Sequence, residues 1–156
     1  NKFQTGVFYS LLGNAYNATK QYEKSDASYE SALEINPDDY QTLNNYSYFL
    51  ALRKEKLEKA EKMALKIVKE NPNNTTYLDT YSWVLYSKGD YKESRKVMER
   101  ILSSVQSNAI YYEHYGDILF KLGEVDAAVE QWKTAQELDP SLKNISTKIE
   151  QKQLDE

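Results

Sequence analysis

The sequence predicts an all-α fold of four helical hairpins stacked in series and closed by a C-terminal helix. Three observations carry that expectation. The first is the stretch from Tyr112 to Pro140, where Tyr112, Tyr115-Gly116 and Leu119, then Ala128, Trp132 and Ala135, recur at spacings of three and four before Pro140. That is the periodicity of apolar faces on two paired helices. The second is recurrence: sliding back by about 34 residues recovers the same marks three more times, and a period of that size signals a stacked helical-repeat array. The third is the stripe Leu142, Ile145, Ile149 on an otherwise polar segment after Pro140. A terminal helix of that kind covers the last hairpin's apolar face.

Taken in order, Asn1 to Thr5 offers only Phe3 for packing. The first unit, about 6–39, carries Tyr9, Leu12-Gly13, Tyr16, Ser25, Tyr29, Ala32 and Pro37. The second, about 40–74, carries Leu43, Tyr46-Ser47, Ala60, Ala64, Ile67 and Pro72, with one extra residue around Arg53 to Leu57. A turn is where an insertion costs least. The third, about 75–108, has Leu78, Tyr81-Ser82, Leu85, Gly89, Ser94, Met98 and Ile101, but Gln106 in place of Pro. The fourth, about 109–142, is the stretch already described, and the closing helix is expected over about 141–154. The whole of 1–156 reads as one domain.

Each unit pairs two small residues: Gly13 with Ser25, Ser47 with Ala60, Ser82 with Ser94, and Gly116 with Ala128. Antiparallel helices approach closely only where facing side chains are small, and large residues three or four apart then fill the flanking grooves. Most of the fourteen tyrosines fall into this scheme. Tyr16, Tyr29, Tyr46, Tyr81, Tyr112 and Tyr115 sit at bulky core positions, and Tyr22 and Tyr91 open second helices.

These marks resemble the tetratricopeptide repeat (TPR) family, a helix–turn–helix unit. Leu12-Gly13-Asn14-Ala15-Tyr16 and the Tyr112–Pro140 stretch carry the likeness most fully, and the second and third units depart from it most. The resemblance implies a right-handed α-solenoid of antiparallel hairpins whose first helices line a concave face. It also implies a protein-interaction module or scaffold that performs no catalysis. Two other roles fit the same resemblance: a structural spacer in a longer solenoid, or an accessory domain of an enzyme encoded outside this stretch. The style of the later units is similar to bacterial members, and the Lys-, Asn-, Tyr- and Ile-rich usage suits an AT-rich genome.

Composition narrows the function classes. The net charge is −4, which argues against a basic nucleic-acid surface. No apolar run approaches the roughly 20 residues that span a bilayer. Cysteine is absent, which excludes disulfides, thiolate zinc sites and thiol catalysis, and leaves bacterial cytoplasm and periplasm equally open. The start at Asn1 reads as an excised piece, with any targeting segment outside it. No covering helix precedes Gly6, so further upstream repeats or self-association through that face are expected. The single histidine, His114, has no Ser–His–acid pattern around it and reads as a packing or surface residue. Asp79, Glu113 and Asp117 with His114 lack a ligand motif, so neither metal nor cofactor is expected.

Carried over from the resemblance, particular first-helix positions point into the concave face. The first unit contributes Ser10, Asn14 and Asn17, and the second Gln41, Asn44, Tyr48 and Ala51. The third contributes Asp79, Trp83 and Tyr86, and the fourth Glu113, Asp117, Phe120 and Lys121. Trp83 stands out, because Trp and Tyr bury large area with few rotamers to freeze and are enriched at interfaces; the alternative is that an adjoining segment of a longer protein, or the C-terminal helix, covers these positions. Family members that grip a chaperone's C-terminal carboxylate use Lys, Arg and Asn here, whereas Asp79, Glu113 and Asp117 would repel it. The amide half, Asn14, Asn17, Gln41 and Asn44, suits backbone hydrogen bonding. The acidic and aromatic half suits an extended or helical segment with basic and apolar residues.

Overall fold

The computed structural model describes residues 1–154, and among them the fold is all-α, with nine helices and no strand. The chain divides into two compact units. The first, Asn1–Pro72, holds α1 (Lys2–Ala18), α2 (Tyr22–Ile35), α3 (Tyr40–Arg53) and α4 (Leu57–Glu70). The second begins at Asn73 and holds α5 (Thr75–Lys88), α6 (Tyr91–Leu102), α7 (Ala109–Lys121), α8 (Val125–Leu138) and α9 (Ile145–Gln151). Within each unit successive helices pair as hairpins: α1 with α2, α3 with α4, α5 with α6, and α7 with α8.

The first helix of every hairpin starts at an amide or acid cap. Asn1, Asp39, Asn74 and Asn108 accept backbone N–H groups at the starts of α1, α3, α5 and α7. Each satisfies a donor the first turn leaves orphaned, worth about 1 kcal/mol. Among the second helices only α6 has such a cap, from Asp90, while α2, α4 and α8 have none. The helices that bear the candidate site are therefore the ones whose starts are fixed by side chains.

The extra residue in the second hairpin falls between α3 and α4, where Lys54 and Lys56 both take the left-handed conformation, with φ of 55° and 47°. That conformation costs a side-chain-bearing residue about 1 kcal/mol or more. The Asp26 carboxylate on α2 offsets it, accepting from Arg53 Nη2 and Lys56 Nζ, each at 2.9 Å. The insertion is thus pinned to the preceding hairpin by charge.

The small-residue crossings are direct contacts. Ser25 Oγ donates to the Gly13 carbonyl at 2.8 Å, and a Cβ on Gly13 would collide with the Tyr29 ring. Ser94 Oγ donates to the Ser82 carbonyl at 2.7 Å, with the two hydroxyls 2.9 Å apart. A Cβ on Gly116 would meet the Trp132 ring and stand 3.0 Å from the Ala128 carbonyl oxygen. Ser47 and Ala60 are both fully buried. Around these crossings Tyr29, Tyr46, Leu50 and Ile67 fill the first unit, and Leu85, Met98, Ile101, Ile118 and Trp132 the second.

The two chain ends differ. On α1, Phe3, Val7, Phe8 and Leu11 are exposed. At the other end, Ile145 of α9 is fully buried against Leu119, Ala128, Val129, Trp132 and Ala135, with Leu142, Ile149 and Leu154 packed beside it. The residues before α9 form turns around 140–144, with Asn144 left-handed at φ 64°, so the helix itself is only seven residues long.

Candidate functional site

On the first unit the candidate positions form an amide network. Asn14 Oδ1 accepts from the Tyr29 hydroxyl at 2.6 Å and from Asn45 Nδ2 at 3.2 Å, linking α1, α2 and α3. Gln41 is exposed and donates to Asn45 Oδ1 at 2.8 Å. Ser10 accepts from the buried Thr42 hydroxyl at 2.7 Å. Asn44 is buried, and its Oδ1 has no hydrogen-bond partner. Asn17 and Tyr48 are half-buried, Tyr48 with its ring tilted 50° against Phe49, and Ala51 is buried.

The second unit carries a charged and aromatic cluster on α5 and α7. Trp83 stacks on Tyr86, with ring centroids 4.6 Å apart and planes 11° from parallel. It also stacks on His114, centroid to centroid 4.3 Å. His114 Nδ1 lies 2.9 Å from Asp79 Oδ1. Spacing explains the geometry: Asp79, Trp83 and Tyr86 are four and three apart, so they share one face of α5. Trp83 and Tyr86 are both half-buried.

Beside this stack, Glu113 and Asp117 lie one turn apart on α7, and Lys148 of α9 lies on both. Lys148 Nζ is 2.8 Å from Glu113 Oε1 and 3.1 Å from Asp117 Oδ1. The lysine side chain is only 8% exposed, so this is a buried ion pair rather than a surface one. Asp117 also accepts from Trp132 Nε1 at 2.9 Å. Phe120 packs on Trp132 with centroids 5.9 Å apart, and with the exposed Lys121 it lines a cavity of about 490 Å³ shared with Gln153 and Leu154.

The electrostatics follow from burial set against these partners. Burial disfavours a charged His114, but Asp79, with Asp117 and Glu113, outweighs it and raises the imidazole pKa above its ordinary 6.5. Lys148 behaves alike: burial opposes its charge, and Asp117 and Glu113 more than restore it, so its pKa is raised. Burial raises the Asp117 carboxyl, although Lys148, His114 and Trp132 work against it. Burial, then the nearby Asp117, raises the Tyr86 phenol. The cluster is therefore three carboxylates met by Lys148 and His114 of the chain itself.

Sequence reasoning placed Asp79, Trp83 and Tyr86 together, and Glu113 with Asp117, and the structure has those groupings. It read His114 as a packing or surface residue, and His114 lies on the Trp83 ring. It passed over Lys148, which occupies the Glu113–Asp117 carboxylates. A signal for Lys148 was present: it stands three residues after Ile145, on the flank of the apolar stripe, where a solvated lysine is out of place. Among the described residues no group of three or more His, Cys, Asp or Glu side chains is arranged to hold a metal ion, and no helix is long and apolar enough to cross a membrane.

Two family models, both described as "Tetratricopeptide repeat", match residues 7–39 and 82–142, together more than half of the chain. Protein IFIT1 homolog B of Homo sapiens is 27% identical over 130 residues, covering 78% of this chain and 27% of that protein. A TPR repeat-containing protein of Pseudomonas aeruginosa, PA4667, is 31% identical over 93 residues, covering 60% of this chain and 15% of that protein. The chain thus spans about a quarter or less of either relative's length. Among solved structures, the type IV pilus biogenesis factor PilW superposes with a TM-score of 0.82 at 18% identity, over 94% of this chain and 70% of that one.

Proposed function

The chain belongs to the tetratricopeptide repeat family, and from that premise we propose that it binds a partner protein through the α5–α7 face around Trp83, without catalysis. Proteins of this family are interaction scaffolds that bind other proteins or peptides, and the fold here is theirs. The ligand is an extended or helical segment with basic and apolar residues. The observation that carries this reading is the Trp83–Tyr86 stack, half-buried beside Asp79, Glu113 and Asp117. Carboxylates next to aromatic rings attract Lys or Arg through charge pairing and cation–π contact, worth about 0.5–2 kcal/mol, and a partner's cation competes here with His114 on Asp79 and with Lys148 on Glu113 and Asp117. The amide positions Asn14, Asn17, Gln41 and Asn44, with Tyr48, serve the partner's backbone, and Phe120 and Lys121 border the acidic end.

A second contact is proposed on α1, where Phe3, Val7, Phe8 and Leu11 expose an apolar stripe. Exposed apolar patches of that kind mark association surfaces, and self-association through this stripe is the reading adopted. Sedimentation of the wild type against Phe8→Ser/Leu11→Ser tests it, since equal monomer fractions would remove it. For the Trp83 face, the immobilised chain and its Trp83→Ala variant are used to capture partners, and the retained segment is mapped with peptides. Loss of a basic–apolar segment from the variant alone supports the reading, whereas equal retention places the binding face elsewhere.

A further inference from the structure

Lys148 holds the position that a partner's cation is expected to take. It closes the Glu113–Asp117 pair at 2.8 and 3.1 Å, and Ile145, one turn earlier on α9, fills the apolar hollow lined by Leu119, Ala128 and Trp132. Ile149, the next residue, packs on the same cluster. The face under α9 therefore selects one short pattern, apolar-x2-Lys-apolar on a helix. We infer that this face is a docking site for a partner helix of that pattern, and that α9 is its tethered resident, which such a helix displaces. The inference deepens the proposed function and rests on it for the identity of the ligand as basic and apolar.

Three features support displacement over a fixed cap. A cap needs only apolar contact, whereas burying a lysine against two carboxylates costs desolvation that a hydrophobic residue would avoid. What the ion pair adds is selectivity for a lysine at one position. The resident is also a poor helix on its own. It has seven residues, no side-chain bond at its N-cap, and left-handed residues at both ends, Asn144 and Lys152. A nucleus that short forms only against its docking surface.

The third feature is register. Lys148 stands at the position that Asn45 holds three repeats earlier, and Ile145 at that of Thr42. In the first unit those residues belong to α3, the first helix of a hairpin laid on α1 and α2. The face under α9 is thus shaped for a full helix, and α9 fills it with a short one. Tethering compensates, because a short linker holds a segment at an effective concentration on the order of mM. A partner therefore meets a site whose apparent affinity is lowered by the fraction of time α9 is seated.

The test uses a fluorescein-labelled peptide of residues 141–154 and the full-length chain, read by anisotropy. Wild type should bind it weakly, because its own α9 is seated. A Lys148→Glu chain, whose α9 is repelled by Glu113 and Asp117, should bind the same peptide at least ten-fold more tightly. A peptide carrying Lys148→Met should lose that gain, and added salt should weaken it. If Lys148→Glu loses its helical circular dichroism, Lys148→Met, which keeps the aliphatic stem, replaces it with the same expected direction. Absence of binding to either variant chain, or equal binding to wild type and variant, overturns the inference. The outcome is independent of Trp83, so it separates from failure of the proposed function, which is read on the Trp83→Ala chain with the captured partner segment.

Discussion

The first and last hairpins solve one packing problem with opposite chemistry. In the first, Gly13 admits the Tyr29 ring, whose hydroxyl donates to Asn14, the residue after the glycine. In the last, Gly116 admits the Trp132 ring, whose indole N–H donates to Asp117, again the residue after the glycine. The following helix then completes each site from the same register, by Asn45 onto Asn14 and by Lys148 onto Asp117. One version is a neutral amide network and the other a buried ion pair. The geometry is fixed by the repeat, and the polarity is free to vary. A charged version is specific and conditional, because it depends on salt, on pH and on the second charge staying in place.

The largest expected effect tests the shared geometry. Gly116→Leu should destabilise the chain by about 3 kcal/mol or more, since the added side chain meets both the Trp132 ring and the Ala128 backbone. Gly13→Leu should cost less, because the three atoms nearest an added Cβ all belong to the Tyr29 ring, and a ring can shift where a backbone cannot. Thermal melts by circular dichroism rank the two. A smaller loss for Gly116→Leu would contradict the Ala128 backbone contact as the harder obstacle.

The next effect tests the difference in polarity. Lys148→Met removes the cation and leaves Asp117 buried against Glu113, at an expected cost of about 3–5 kcal/mol. Asn45→Ala removes one neutral hydrogen bond, about 1 kcal/mol. Urea denaturation of both variants measures the gap, and equal costs would mean that the ion pair behaves as an ordinary polar contact. Adding Asp117→Asn to Lys148→Met should recover much of the loss.

A smaller effect comes from His114. Its pKa is raised in the folded chain above the ordinary 6.5, so between those two values the folded state holds more of the proton than the unfolded state. Stability from this group is fully present below about pH 6.5 and is lost as pH rises through the folded value. Melting temperature followed from pH 6 to 9 should therefore fall more steeply for wild type than for His114→Gln. Parallel curves would remove His114 from the charge balance of the cluster.

The repeat was legible because its determinants are local and periodic. Gly116, Ala128 and Trp132 stand at fixed offsets, and a Cβ at Gly116 meets the partners that those offsets name. The grouping of Asp79, Trp83 and Tyr86 was legible for the same reason, since one helix places them. What partners the carboxylates was not. Lys148 reaches Glu113 and Asp117 only once α9 docks: its place on the flank of the apolar stripe marks it as out of place in solvent, but apolar spacing does not name the carboxylates it meets. His114 was read as a packing or surface residue, and it lies flat on Trp83, a partner on another helix that spacing within α7 does not name.

The central claim is that the α5–α7 face binds a basic and apolar segment through Trp83. Calorimetry with the captured segment, at two salt concentrations, tests it on wild type, Trp83→Ala and Asp79→Asn. The account predicts that affinity weakens with salt for wild type, as screened charge pairs do. Trp83→Ala should lose about 2 kcal/mol at both concentrations, and Asp79→Asn should mainly flatten the salt dependence. Unchanged affinity for Trp83→Ala, or salt-independent binding by wild type, would contradict the claim.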